Sequence, residues 1–420
     1  MKVLLYCINF SPEQIGIGKY TGEMAVWLSR QGHDVHVVTA PPYYPEWQIA
    51  YGYKPRRFFF EDLNGCKVYR CPICVPSKPS ALTRVLHLAS FAASSFIVVL
   101  RQIFWKPDIV FVVEPPLFCA PAALLVARLS GSTAWLHVQD FEVAAFFGLG
   151  FAKAGLFKKM VVWFEGWLMC LFDHVSTISN SMLDRIHNLD VLPDNTSLFP
   201  NWVNTTDVRP RTTFNGLKKA WGITDNQKIV LYAGNMGKKQ GLDQVLQVAN
   251  ILTNSRHDIL FLLVGDGVDK ENLIQQAQQL SLNNLVFKPV QPSDVFTDLL
   301  SLADVHLVIQ LRGAADAVMP SKLTGILAAG GAAVITADAE TELGRFVENN
   351  PGIAVRVEPE NVEALLLGIT ELIDNEDRRR ICSKMARQYA EHNLSKDSIL
   401  CEFESTAKKL NNKKLHKHNN

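Results

Sequence analysis

Glycines mark three places in the second half of this sequence, two of them beside basic side chains. Residues 231–246 read "LYAGNMGKKQGLDQVL", where Gly234, Gly237 and Gly241 surround Lys238 and Lys239 just before an amphipathic stretch. A glycine turn lets backbone approach a ligand, and two ammonium groups beside it suit a diphosphate; a surface turn with solvated lysines gives the same pattern. At residues 263–267, "LVGDG", Gly265 leaves room for a base or a sugar, although an ordinary Asp-Gly turn explains it equally. The third place is "MPSKLTGILAAGGAAVI", residues 319–335. Pro320 opens a helix with Ser321 and Lys322 in its first turn, and Gly325, a poor helix former, sits in its middle.

The first half holds two further candidates. "PEQIGIGKY" places Gly16 and Gly18 ahead of a helix whose free N–H groups favour anions; an unliganded tight turn reads the same way. The next strand, "DVHVVTA", ends without the acidic residue a dinucleotide ribose needs, which counts against NAD. "WLHVQDFE" brings His137 and Asp140 to the end of a buried strand, where polar groups need partners. They either make structural hydrogen bonds or hold a sugar hydroxyl, and Asp140 is the better placed at the strand's carboxyl end. Residues 141–172 combine aromatics with Lys153, Lys158 and Lys159. That mixture fits a helix at a membrane interface as well as it fits a core helix.

The elements that must position these residues follow from hydrophobic patterning. Continuous β-branched runs alternate with helical patterns from "KVLLYCI" to "TSLFP", and again from "KIVLYAG" to "AAVIT". This predicts α/β domains with parallel sheets covered on both faces. We read residues 1–200 as a first Rossmann-like domain, 201–227 as a polar linker and 228–394 as a second Rossmann-like domain. Residues 395–420 read as a C-terminal helix and basic tail. Two doubly wound domains in tandem place ligands at the carboxyl ends of their strands and in a cleft between them.

Composition sets the outer limits. A chain of 420 residues, 48% hydrophobic and 20% charged, has ample core. A net charge of +1 gives no field to recruit nucleic acid. Among eight cysteines only Cys66, Cys71 and Cys74 cluster, without the second pair a zinc site needs, so no metal is expected. "MKVLLYCINF" lacks a signal peptide's apolar run and cleavage site, which implies a cytoplasmic protein with reduced thiols. The apolar run between Arg84 and Arg101 has sixteen residues, short of the ~20 that span a bilayer.

The ordered set "LFPNWVN", "YAGNMGKKQG", "FLLVGDG" and "MPSKLTGILAAGGAAVI" resembles glycosyltransferase family 4, over nearly the whole chain. The resemblance implies the GT-B architecture and transfer of a sugar from a nucleotide-diphosphate donor with retention at the anomeric carbon. The donor would sit on the second domain and the acceptor on the first, with neither metal nor cofactor. Basic groups and helix N-termini, Ser321 and Lys322 among them, would then stabilise the departing diphosphate. The resemblance favours GDP-fucose as donor and a polyprenyl-diphosphate-linked sugar as acceptor, at the inner face of the cytoplasmic membrane, in bacterial exopolysaccharide (colanic acid) assembly.

The sequence also departs from the family. A Glu-x7-Glu pattern, whose second Glu holds the donor ribose, falls on Ala317 and Gly325. The family's Arg and Lys after the second domain's first strand fall on Asn235 and Gln240, which still donate hydrogen bonds. Lys238, Lys239 and Lys322 supply positive charge in their stead. In the first domain the family's catalytic position matches Asp140 best and His137 second. A nucleotide-sugar epimerase of the same architecture and a non-catalytic scaffold of a polysaccharide assembly complex are the alternative readings; the missing Glu pair motivates the scaffold.

Overall fold

The computed structural model describes residues 1–77, 80–142, 155–211, 216–313 and 320–418. The chain forms two compact units, Met1–Pro200 with Leu400–Asn420, and Asn201–Ile399.

The first unit contains β1 (Lys2–Tyr6), α1 (Gly16–Arg30), β2 (Asp34–Thr39), β3 (Phe59–Leu63), β4 (Cys66–Arg70) and α2 (Ala81–Trp105). It continues with β5 (Ile109–Glu114), α3 (Ala120–Ser130), β6 (Thr133–Val138), α4 (Leu156–Met169), β7 (His174–Thr177), α5 (Asn180–His187) and β8 (Thr196–Leu198). Its eight strands lie in the order β3-β4-β2-β1-β5-β6-β7-β8. Only β3 runs antiparallel to its neighbour. Every residue of β5 and β6 is buried, as uninterrupted runs such as "IVFVVE" require when helices cover both faces.

Helix α2 extends beyond the run bounded by Arg84 and Arg101 to 25 residues, long and apolar enough to cross a membrane. Its inner face, however, belongs to this unit's core. Phe91 and Val99 are buried, Ser95 Oγ bonds Tyr6 Oη at 2.5 Å, and Gln102 Oε1 lies 2.8 Å from His36 Nδ1.

The second unit contains α6 (Leu217–Ala220), β9 (Lys228–Ala233), α7 (Asp243–Leu252), β10 (Ile259–Val264), α8 (Lys270–Gln279) and β11 (Leu285–Lys288). It goes on with α9 (Ser293–Leu302), β12 (Val305–Val308), α10 (Ser321–Ala328), β13 (Ala333–Thr336), α11 (Glu342–Asn349) and β14 (Val355–Val357). Its last helices are α12 (Val362–Asp374) and α13 (Glu376–Asn393), and α14 (Lys396–His418) begins in it. Its six strands are all parallel, in the order β11-β10-β9-β12-β13-β14. In both sheets strand order reverses beside the first strand, β1 or β9, which places the crevice for a ligand at those strands' carboxyl ends.

The described residues of 201–227, a stretch expected as a linker, are bound into the second unit. Val203 pairs with Ser395, Arg211 Nη1 meets Asp298 Oδ1 at 2.5 Å, and Arg387 donates to the Thr205 and Val208 carbonyls. The same Arg387 also caps the Ala328 carbonyl at the end of α10. Helix α14 passes to the first unit at Leu400, where Phe403 packs on Trp135 at 4.7 Å and on Phe111 at 5.3 Å between ring centroids. The sequence reading missed β3, β4 and β14. Phe58, Phe59 and Phe60 are all exposed, so the edge strand shows no buried alternation.

Candidate functional site

In the second unit the chain leaves β9 through Gly234 (φ +153°) and leaves β10 through Gly265 (φ +154°). A side chain on Gly265 would collide with the Gly234 carbonyl, and one on Gly267 with the Met236 carbonyl. These glycines are therefore required where two backbone turns touch. For Gly265 the approaching group is the neighbouring turn, so no base or sugar is needed to explain it.

The turn after β9 and the start of α10 are joined by one side chain. Lys322 Nζ donates to Tyr232 Oη at 2.9 Å and lies 4.2 Å from the centre of that ring. Tyr232, fully buried at the end of β9, donates in turn to the Asn235 carbonyl at 2.6 Å. Gly234 borders this contact: a Cβ there would lie 3.5 Å from the Lys322 ammonium, and its φ of +153° is one that other residues rarely adopt. Burial pushes Lys322 down to about 8, and no carboxylate among the described residues compensates it. An ammonium whose one described hydrogen-bond partner is neutral keeps its charge available to an anion.

The remaining predicted donor-side residues are distributed around this pair. Asn235, Lys238, Lys239 and Ser321 are exposed. Gln240 Oε1 accepts from the Gly237 N–H at 3.1 Å, so that oxygen closes the turn and the amide nitrogen is the part left for a ligand. The Leu311 N–H donates to the Lys239 carbonyl at 3.0 Å, fixing the turn against the chain that follows β12. Gly325 is buried, and a Cβ there would stand 3.3 Å from Phe296 and 3.4 Å from Leu300. Its place in α10 thus reflects close packing on α9. Ala317 lies outside the described residues.

In the first unit the structure separates the two residues of "WLHVQDFE". His137 is a core residue: Nδ1 donates to Ser176 Oγ at 2.9 Å, Nε2 accepts from Gln139 Nε2 at 2.9 Å, and Phe111 and Phe199 pack on its ring. Burial drives it down to about 3, so it stays neutral and holds both ring nitrogens engaged. The structural hydrogen-bond reading therefore replaces the catalytic one for His137. Asp140 is exposed just beyond β6, raised by desolvation while the Phe141 N–H and Arg185 oppose the rise.

Beside Asp140 stand carboxyl groups that the sequence reading passed over. Glu114 ends β5 fully buried, and among the described residues neither carboxyl oxygen has a hydrogen-bond partner. Desolvation and the charges of Glu142, Glu165 and Asp140 hold it far above the usual carboxylate range. Glu142 accepts from the Leu117 N–H at 2.8 Å, and Glu165 faces Arg185 Nη2 at 3.7 Å. Desolvation raises both to about 7. A glutamate closing the apolar run "IVFVVE", and another inside "VVWFEGWLM", are the signals that mark them in the sequence.

Gly16 (φ +61°) is the first residue of α1, against the Tyr44 ring. A side chain on Gly18 would meet Glu13, whose Oε1 accepts from the Tyr43 and Tyr44 N–H groups at 3.0 Å each. Both glycines are thus explained by packing of the loop itself. Among the described residues no group of His, Cys, Asp or Glu is arranged to hold a metal ion.

Comparison with known proteins adds three findings. The family model for a glycosyl transferase 4-like domain matches residues 16–202, and that for glycosyl transferases group 1 matches residues 214–389. The chain is 47% identical over 408 residues to the Escherichia coli (strain K12) protein named as a colanic acid biosynthesis glycosyl transferase, WcaI, spanning 96% of this chain and 98% of that one. Two solved structures share the fold. Sucrose-phosphate synthase from Thermosynechococcus elongatus has a TM-score of 0.72 at 12% identity, over 98% of this chain and 99% of that one. Anabaena HepE in complex with UDP has a TM-score of 0.69 at 13% identity, over 97% of this chain and 100% of that one.

Proposed function

The chain belongs to glycosyltransferase family 4, of GT-B fold, and on that premise we propose that it moves a sugar from a nucleotide-diphosphate donor to a lipid-linked acceptor. The donor is GDP-fucose, the acceptor a polyprenyl-diphosphate-linked sugar, and the pathway colanic acid assembly. Transfer proceeds with retention and needs neither metal nor cofactor. The relative named for colanic acid biosynthesis supports the pathway, and the solved neighbour in complex with UDP supports a nucleotide diphosphate as the leaving group.

The observation that carries this reading is Lys322, a half-buried ammonium at the start of α10 beside the Gly234 turn. As the bond between anomeric carbon and diphosphate lengthens, negative charge grows on the phosphate oxygens. A cation and helix amides already in place stabilise that charge without reorganising solvent. Asp140, exposed at the carboxyl end of β6, is the group we assign to the reacting sugar's hydroxyls.

Helix α4 supports work at the inner membrane surface. Leu156, Met160, Trp163, Phe164 and Trp167 are exposed beside exposed Lys158 and Lys159, the composition of a helix lying at an anionic interface. Lys153 lies outside the described residues.

Incubating the protein with radiolabelled GDP-fucose and bacterial membrane extract tests the proposal. Label is expected in the lipid-extractable fraction, with UDP-glucose as a poor substitute. Label transferred only from a UDP-sugar would overturn the donor assignment, and no transfer from any nucleotide sugar would overturn the function.

A further inference from the structure

We propose that Tyr232 is a positioning residue for the donor diphosphate, holding Lys322 over the Gly234 turn so that its ammonium meets the anion already oriented. The inference rests on the donor site proposed above.

Two elements distant in sequence meet at this phenol. Its oxygen accepts from Lys322 Nζ at 2.9 Å, and its proton goes to the Asn235 carbonyl at 2.6 Å. One hydroxyl thus ties the first turn of α10 to the loop after β9. A lysine has four rotatable bonds, and holding them in one arrangement costs side-chain entropy. Tyr232 has met that cost before the ligand arrives, because its ring also lies against the ammonium at 4.2 Å. It can do so without neutralising the charge. Burial raises the phenol well above its ordinary range, so it stays protonated and never becomes a competing anion. A carboxylate here would hold the lysine more tightly and would repel the diphosphate. Gly234 borders the device: a Cβ there would lie in van der Waals contact with the ammonium, at 3.5 Å.

Titration calorimetry of the full chain with GDP and with UDP tests this, using wild type, Tyr232→Phe, Lys322→Met and the double variant. Tyr232→Phe removes only the hydroxyl and keeps the ring. It should weaken nucleoside diphosphate binding about tenfold, as the loss of one hydrogen bond to a charged group would. In the Lys322→Met background the same change should cost less than about twofold. A phenol that merely supports the fold would weaken binding equally in both backgrounds, and that result would overturn the inference, as would wild-type affinity in Tyr232→Phe. If wild type binds neither nucleotide, the proposed function falls with it; if wild type binds and only the coupling is missing, the positioning role alone falls.

Discussion

Protonation of Lys322 should be visible in the heat of donor binding. Free Lys322 titrates at about 8 because burial disfavours its charged form. A bound diphosphate favours that form and should return it toward the ordinary lysine value near 10.4. At pH 8 about half of the free protein carries the ammonium, so binding should take up about half a proton. At pH 9 only about a tenth does, and affinity should fall roughly tenfold from its value at pH 7. Calorimetry with GDP at pH 8, in two buffers of different ionisation heat, reads the uptake directly. At that pH the nucleotide's own phosphates are fully ionised and contribute nothing. Lys322→Ala should abolish the uptake and weaken binding by roughly 1–3 kcal/mol. Identical heats in both buffers for wild type, or an equal uptake in Lys322→Ala, would refute the placement of the diphosphate on this lysine.

Three further outcomes follow from the two units. Asp140→Asn should lower turnover at least tenfold while leaving the melting temperature nearly unchanged, since the side chain is exposed; this is read by initial rates beside thermal melts. Glu114→Gln should flatten the dependence of stability on pH. The wild-type carboxyl is raised far above 4.5, so its contribution is full below that value and is lost as pH rises through neutrality. The variant should gain in melting temperature relative to wild type at pH 8 and show no gain at pH 4.5. Gly325→Glu, which restores the family's residue, should lower the melting temperature by several degrees without tightening GDP binding, because a new side chain meets Phe296 and Leu300 in a packed interface.

The sheets were legible because fully buried parallel strands leave continuous apolar runs, and "IVFVVE", "ILFLLV" and "AAVIT" are such runs. The turn after β9 and the start of α10 were each legible as a candidate diphosphate seat, but nothing in the sequence shows that Lys322 reaches the other element. Tyr232 was not: as an aromatic inside an apolar strand it reads as core, and only the distance to Lys322 gives its hydroxyl a role. The buried glutamates escaped for a similar reason. Their partners come from β5, α4 and the end of β6, and a single strand's pattern cannot show which charges share a burial site. From sequence alone His137 reads equally as a site residue, because a polar group in a buried strand needs a partner. Its two hydrogen bonds and packed rings show how a core absorbs one.

The most direct test is a crystal structure of the protein with GDP bound. A diphosphate oxygen is expected within about 3 Å of Lys322 Nζ, beside Gly234 and the first amides of α10. A diphosphate bound elsewhere, with Lys322 still turned only to Tyr232, would contradict the donor site proposed for this chain.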